Sequence, residues 1–343
     1  MSTQTDITDS TPGRGIPAFR FIEEKLEQVK NQINQQLTIP AKAKDITRLL
    51  EHLKNHRGKM IRPGLVLLAG DVVHKITDNH IHVAAIVEMI HNASLLHDDV
   101  IDEGLKRRGI PTVNNIWGNE SAILLGDFLL SRVFKMCAHL EPQITNIIAA
   151  TAARTCEGEL RQVAQRNNWQ TSASSVEPLS EADYIDIITE KSAALFSGCC
   201  RLGAILSKAA EDEVDSLGNF GLNAGIAFQI TDDLLDLIGY ESQTGKTTGS
   251  DVQKNKLTLA VIHLLRTADE KEKNRIYSKL NTSYGTNGNE LLNMLKSYGC
   301  LEYANNQAQE FVEKAIQSIS GLKQSRAKDA LIETAKFMAN RKI

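Results

Sequence analysis

Residues 81–102 read IHVAAIVEMIHNASLLHDDVID, and both the fold and the chemistry turn on them. The stretch is apolar with a helical rather than an alternating period, and its charges gather at the C-terminal end. It closes on His97-Asp98-Asp99-Val100-Ile101-Asp102, a D-D-x-x-D pattern. A second copy, Thr231-Asp232-Asp233-Leu234-Leu235-Asp236, closes the apolar run from Glu213 to Ile238. Residues four apart share a helix face, so Asp98 projects with Asp102, and Asp232 with Asp236. Like charges on one face repel, and an apolar surround solvates them poorly. A divalent cation relieves both costs, and hard oxygen ligands suit magnesium, which takes few carboxylates and completes its shell with waters and phosphates. Each motif precedes a glycine, Gly104 or Gly239, which predicts a helix C-terminus whose dipole favours a cation. One such motif alone reads equally well as the solvated end of a surface helix. Two copies in apolar helices favour the metal reading, and zinc is disfavoured because no His or Cys ligands are arranged for it.

Working outward, the period stays helical: Phe19–Leu37, Ile46–Leu53, Ile61–Val73, Glu120–Leu140, Ile144–Arg166, Glu181–Leu206, Leu257–Leu265, Lys271–Leu280, Leu291–Tyr298 and the last forty residues. No alternating strand pattern or hairpin signal emerges. The expectation is an all-α protein, one large helical bundle over residues 18–343 behind a disordered tail at 1–17. The polar stretch 167–180 suits a surface loop.

Composition narrows the function. Net charge is -3 and aromatics are 5%, which argues against nucleic acid. Five cysteines, an odd number without a C-x-x-C pair, indicate a reducing compartment, so a cytoplasmic location is expected. No apolar run is long enough to span a bilayer, and the N-terminal residues lack the features of a signal peptide.

Carboxylate-held metals usually meet phosphate, so cations should lie near. Lys59 and Arg62 precede the Ile61–Val73 run, Arg107 and Arg108 follow the first acidic motif, and Lys246 and Lys256 follow the second. Taken singly, each reads as a surface cation. Lys191 differs, because it sits among Ile187, Ile188, Ala193, Leu195 and Phe196 and needs a partner. His91 lies upstream of Asp98 on the same helix; alone it reads as a core histidine.

Six motifs in this order carry a resemblance: G-K-x-x-R-P at 58–63, H-D-D-V-I-D-E with R-R-G at 97–109, G-D-F-L at 126–129, K-S-A at 191–193, F-Q-I-T-D-D-L-L-D at 228–236 and G-K-x-x-G-x-D at 245–251. The chain resembles the trans-polyprenyl diphosphate synthases, prenyltransferases with an all-α isoprenoid synthase fold and a central cavity. The resemblance implies that Lys59, Arg62, His91 and Arg108 hold isopentenyl diphosphate. It implies magnesium on Asp98, Asp102 and Asp232, supported by Asp99, Asp233 and Asp236. It implies that Arg107, Lys191, Ser192, Gln229, Lys246 and Lys256 contact the allylic diphosphate, with Lys191 and Gln229 also catalytic. Arg57, Ser192, Asn255 and Ala260 depart from the usual pattern without removing a charged ligand.

Product length follows from what blocks the growing tail. Ala93 and Ser94, one turn before Asp98, are small where short-chain relatives often carry an aromatic. Each further turn adds about 5 Å of tunnel, past Met89, Ile90 and Ile86, with Phe134 as the expected floor. The expectation is a long product of the kind used for quinone side chains, made by a homodimer that touches membranes peripherally to release it. The alternatives are a synthase of shorter or medium products, such as geranylgeranyl or heptaprenyl diphosphate, and the catalytic subunit of a two-component synthase. Of other classes, a terpene cyclase would not need a second D-D-x-x-D, and a non-catalytic subunit should have lost its carboxylates.

Overall fold

The computed structural model describes residues 16–38, 44–55, 58–172, 179–238, 257–280 and 284–340. Most of the expected tail lies outside this set, but Ile16 is only 3% exposed. Pro17, whose ring suits the first helical position, opens a 3-10 turn over Pro17–Ile22. The chain then runs through helices α1 (Glu23–Gln36), α2 (Lys44–Asn55), α3 (Ile61–Val73) and α4 (Asp78–Ile101). After a short hairpin come α5 (Val113–Trp117), α6 (Asn119–Cys137), α7 (Pro142–Ser172), α8 (Glu181–Ile188), α9 (Ala194–Leu206) and α10 (Glu211–Ile238). The C-terminal part holds α11 (Leu259–Thr267), α12 (Glu270–Leu280), α13 (Tyr284–Ser297), α14 (Cys300–Ser318) and α15 (Arg326–Ala339).

A helix that is apolar all round belongs inside. α3 obeys this: Leu65, Val66, Leu67, Leu68 and Ala69 are fully buried. Each such leucine contributes on the order of 2 kcal/mol by area, an upper figure because unfolded chains are partly collapsed. Two apolar clusters form the core. The larger gathers α1, α3, α4, α6, α9 and α15; the smaller gathers α8, α11 and the start of α14. α10 serves both, with Phe220 and Ala224 in the first and Ile226 and Ile230 in the second.

Three local features depart from the sequence reading. The end of α4 is a Schellman motif, in which Gly104 N–H donates to Asp99 O and Glu103 N–H to Val100 O. The left-handed residue there is Glu103 (φ 49), not the glycine. A hairpin of two-residue strands follows, β1 (Lys106–Arg107) and β2 (Ile110–Pro111), too short to show alternation. Its turn residues Arg108 and Gly109 have φ 53 and 77, the pattern of a type I′ turn. Finally, the helix expected over Glu181–Leu206 is interrupted by a π-helical turn at Thr189–Ala193, which joins α8 to α9.

Candidate functional site

The C-terminal end of α4 gathers three carboxylates. Asp99 is buried, and Arg107 returns along the hairpin to fork it: Nη2 donates to Oδ1 at 2.7 Å, and Nε to Oδ1 at 2.9 Å and Oδ2 at 3.1 Å. Arg107, expected on the allylic diphosphate, is thus engaged with a carboxylate of its own chain. Asp98 is pushed up to about 6, first by burial and then by Glu159 and Asp102, against the pull of Lys191 and Arg107. Asp102 Oδ1 lies 3.9 Å from Nη1 of Arg166 on α7.

The π turn supplies the facing wall. Such turns arise when one surplus residue enters an α-helix, and they recur at functional sites. Lys191 Nζ is 2.6 Å from Glu159 Oε2 and donates to Gln162 Oε1 at 2.7 Å, so both partners of this enclosed lysine come from α7. α7 approaches this closely at Gly158, where a Cβ would lie 2.3 Å from the Lys191 backbone nitrogen. The next residue points to α10: Ser192 Oγ donates to Gln229 Oε1 at 2.6 Å, and Gln229 Nε2 donates to Asp233 Oδ1 at 2.8 Å. Asp233 Oδ2 accepts from the Tyr184 hydroxyl at 2.6 Å. Asp232 and Asp236 are half-buried on the same helix.

A basic group gathers around Arg62, which acts electrostatically on Asp232 of the second motif. Arg62 stacks its guanidinium 4.6 Å from the Phe196 ring centre. Its Nε is buried and has no hydrogen-bond partner among the described residues. Burial lowers its pKa, while Glu88 and Asp232 act to raise it. His91 is held well below the usual histidine range by burial and by Arg62, Arg108 and Arg107, so it is a neutral imidazole. Burial raises the Glu88 carboxyl, opposed by Arg62 and Arg108. Gly58 makes room for Arg108, whose Nη2 would stand 2.7 Å from a Cβ there. Lys59 is exposed, with Nζ 4.7 Å from the Phe337 ring centre. Lys246 and Lys256 lie outside the described residues.

On α4, Ala93 is 1% exposed, Met89 and Ile86 are fully buried, Ile90 is buried, and Ser94 is half-buried with its Oγ donating to His91 O. Phe134 is 71% exposed and cannot floor an internal tunnel; α6 turns Leu125, Leu129 and Val133 inward instead. Glu88, Glu159, Gln162, Arg166 and Tyr184 were missed from sequence. Glu88, a lone acid inside AAIVEMI, and Glu159, beside Gly158, carried a readable signal.

Among the described residues no three His, Cys, Asp or Glu side chains gather tightly enough to hold a metal by themselves. The donor set still fits magnesium. It is all carboxylate, the acids at Asp98, Asp102 and Glu159 are close enough to raise Asp98, and magnesium characteristically keeps water and phosphate oxygens in its shell.

Known proteins define the class. Over 95% of this chain and 97% of the other, the fold superposes with a TM-score of 0.86 and 28% identity on a Caulobacter crescentus polyprenyl synthase solved with calcium and isoprenyl diphosphate. A short-chain isoprenyl diphosphate synthase of Methanothermobacter thermautotrophicus is 33% identical over 301 residues, 86% of this chain and 90% of that protein. An octaprenyl diphosphate synthase of Haemophilus influenzae is 35% identical over 286 residues, 83% and 84% of the two chains. These similarities identify a prenyltransferase that makes prenyl diphosphates. The polyprenyl synthetase profile matches residues 43–296, and the chain belongs to that family.

Proposed function

We propose that the protein condenses isopentenyl diphosphate with an allylic diphosphate, farnesyl or similar, and repeats the step to give a long all-trans polyprenyl diphosphate for quinone side chains. The observation that carries this reading is the π turn, where Lys191 pairs with Glu159, both acting on Asp98 of the first motif, and Ser192 joins Gln229, which bonds Asp233 of the second.

Lys59, Arg62, His91 and Arg108 hold isopentenyl diphosphate; the unmatched Nε of Arg62 is the donor such an anion would satisfy. Lys191, Ser192 and Gln229 face the allylic diphosphate, and Lys246 and Lys256 are assigned to it by the sequence resemblance alone. Asp98, Asp102 and Asp232 would hold magnesium, which when bound neutralises charge building on the leaving diphosphate. Arg107 supports the site through Asp99. The allylic C–O bond breaks and its electrons leave with diphosphate. The isopentenyl double bond then attacks the allylic carbon, and the resulting cation loses a proton to the released diphosphate. Fixed donors at the leaving group supply the stabilisation.

Length is read from the small side chains of Ala93, which is buried, and Ser94, which is half-buried, one turn before Asp98 on α4. Homodimerisation is supported by large apolar side chains left exposed on α5, α6 and α7, namely Ile116, Ile123, Leu124, Phe134 and Leu160. No described helix is long and apolar enough to cross a membrane, and the cysteines are unpaired thiols, in keeping with a cytoplasmic enzyme that meets membranes only peripherally. The test is incubation of the purified protein with isopentenyl and farnesyl diphosphates and magnesium, followed by product sizing. A long-chain product is expected. Short products would overturn the length assignment, and a cyclic hydrocarbon formed without isopentenyl diphosphate would overturn the reaction.

A further inference from the structure

Tyr184 has no place in the reaction just described, yet its hydroxyl donates to Asp233 Oδ2 at 2.6 Å from a ring only 4% exposed. Asp233 Oδ1 accepts a hydrogen bond from Gln229 Nε2, and the Gln229 amide oxygen in turn accepts from Ser192. Polarity propagates along this chain. An ionised carboxylate only accepts, so the Gln229 amino group must face Asp233 and its carbonyl must face Ser192. The helix presenting the phenol is itself anchored. Glu181, one turn before Tyr184 on α8, accepts from the Tyr303 hydroxyl at 2.7 Å and meets His263 Nδ1 at 3.3 Å.

We propose that Tyr184 is a positioning residue for the condensation. It fixes the rotamer of Asp233 and, through it, the amide orientation of Gln229, so that the second amide proton of Gln229 is held for the allylic diphosphate beside Lys191. The inference rests on the assignment of Gln229 and Ser192 to that diphosphate.

The test uses Tyr184→Phe, Asp233→Asn and the double variant. Two quantities are read: affinity for a non-reactive farnesyl thiodiphosphate with magnesium by calorimetry, and kcat and KM for isopentenyl diphosphate. Tyr184→Phe is expected to weaken the analogue and lower kcat about tenfold each, the size of one lost hydrogen bond to a charged group. KM for isopentenyl diphosphate should stay within about twofold, and the double variant should fall no further than Asp233→Asn alone. Wild-type values for Tyr184→Phe beside an impaired Asp233→Asn would overturn this inference alone. Wild-type values for both, and for Gln229→Leu, would overturn the underlying assignment with it. A loss that adds in full in the double variant, or that raises KM for isopentenyl diphosphate equally, would also overturn it. Should Tyr184→Phe not fold, difluorotyrosine at position 184 keeps the ring and acidifies the hydroxyl. A new loss of kcat toward high pH, as phenolate meets carboxylate, is then expected, and an unchanged pH profile would overturn the proposal.

Discussion

Arg107 grips the buried carboxylate of Asp99 with two nitrogens, Nη2 at 2.7 Å and Nε at 2.9 Å from Oδ1. The second aspartate of the first motif therefore has its partner within the chain. Both side chains are less than one-fifth exposed, so removing the cation strands a buried charge. Arg107→Ala is expected to lower unfolding free energy by about 3 kcal/mol in urea titrations at neutral pH. Arg107→Lys should recover only part of this, because an ammonium cannot fork a carboxylate.

Ala93→Phe places an aromatic ring at a buried position one turn before Asp98. It should shorten the product while leaving the first condensation intact. Phe134→Ala should leave the length distribution unchanged, because that ring points away from the core. Sizing of dephosphorylated products by reversed-phase chromatography separates the two. An unchanged length in Ala93→Phe, or a longer product in Phe134→Ala, would reverse the assignment.

His80 predicts a pH dependence of stability. Its Nδ1 accepts from the Thr77 N–H at 3.1 Å and its Nε2 meets Gly203 O at 3.1 Å, which fixes a neutral tautomer. Burial holds its pKa below the ordinary 6.5. A group depressed in the folded state stabilises above its unfolded pKa, and that contribution is lost as pH falls through the folded one. Stability should therefore decline on acidification below 6.5. His91, shifted the same way, adds to the slope, so His80→Gln should flatten the chemical-denaturation profile in part rather than abolish its pH dependence.

Leu124 and Phe134 are 67% and 71% exposed on α6. Apolar patches of this kind mark contact surfaces. Leu124→Glu with Phe134→Glu should convert a dimer to monomers in light scattering, with little change in the helical circular dichroism signal. A dimer that survives both substitutions would place the interface elsewhere.

Legibility followed period and burial. α3 spans the same residues the apolar run predicts, because a segment apolar on every face has only one environment open to it. α4 and α10 were legible for the same reason, and so were their acidic ends. What stayed hidden depends on local backbone choices that side-chain pattern does not encode. Glu103 rather than Gly104 takes the left-handed cap, and Arg108 enters a positive-φ turn that ordinarily asks for glycine or asparagine. Phe134 reads as core by its character and faces outward by its place on α6. Of the site, the aspartates of the two motifs and the basic residues near them were visible, whereas Glu88, Glu159 and Arg166 were passed over, and Tyr184 was hidden, since nothing in its neighbours distinguishes a phenol that reaches α10 from one that fills a core.

The π turn has one more consequence. Lys191 and Ser192 are adjacent in sequence yet serve opposite walls, α7 and α10. A regular helix would set neighbours roughly 100° apart and carry every later residue with them. One surplus residue absorbs that rotation locally, so the register of α9 is uncoupled from that of α8. Deleting a single residue between Thr189 and Ala193 would restore an ideal helix and ruin the alignment of the two walls. Here the count of residues, more than their identity, keeps the two halves of the protein in phase.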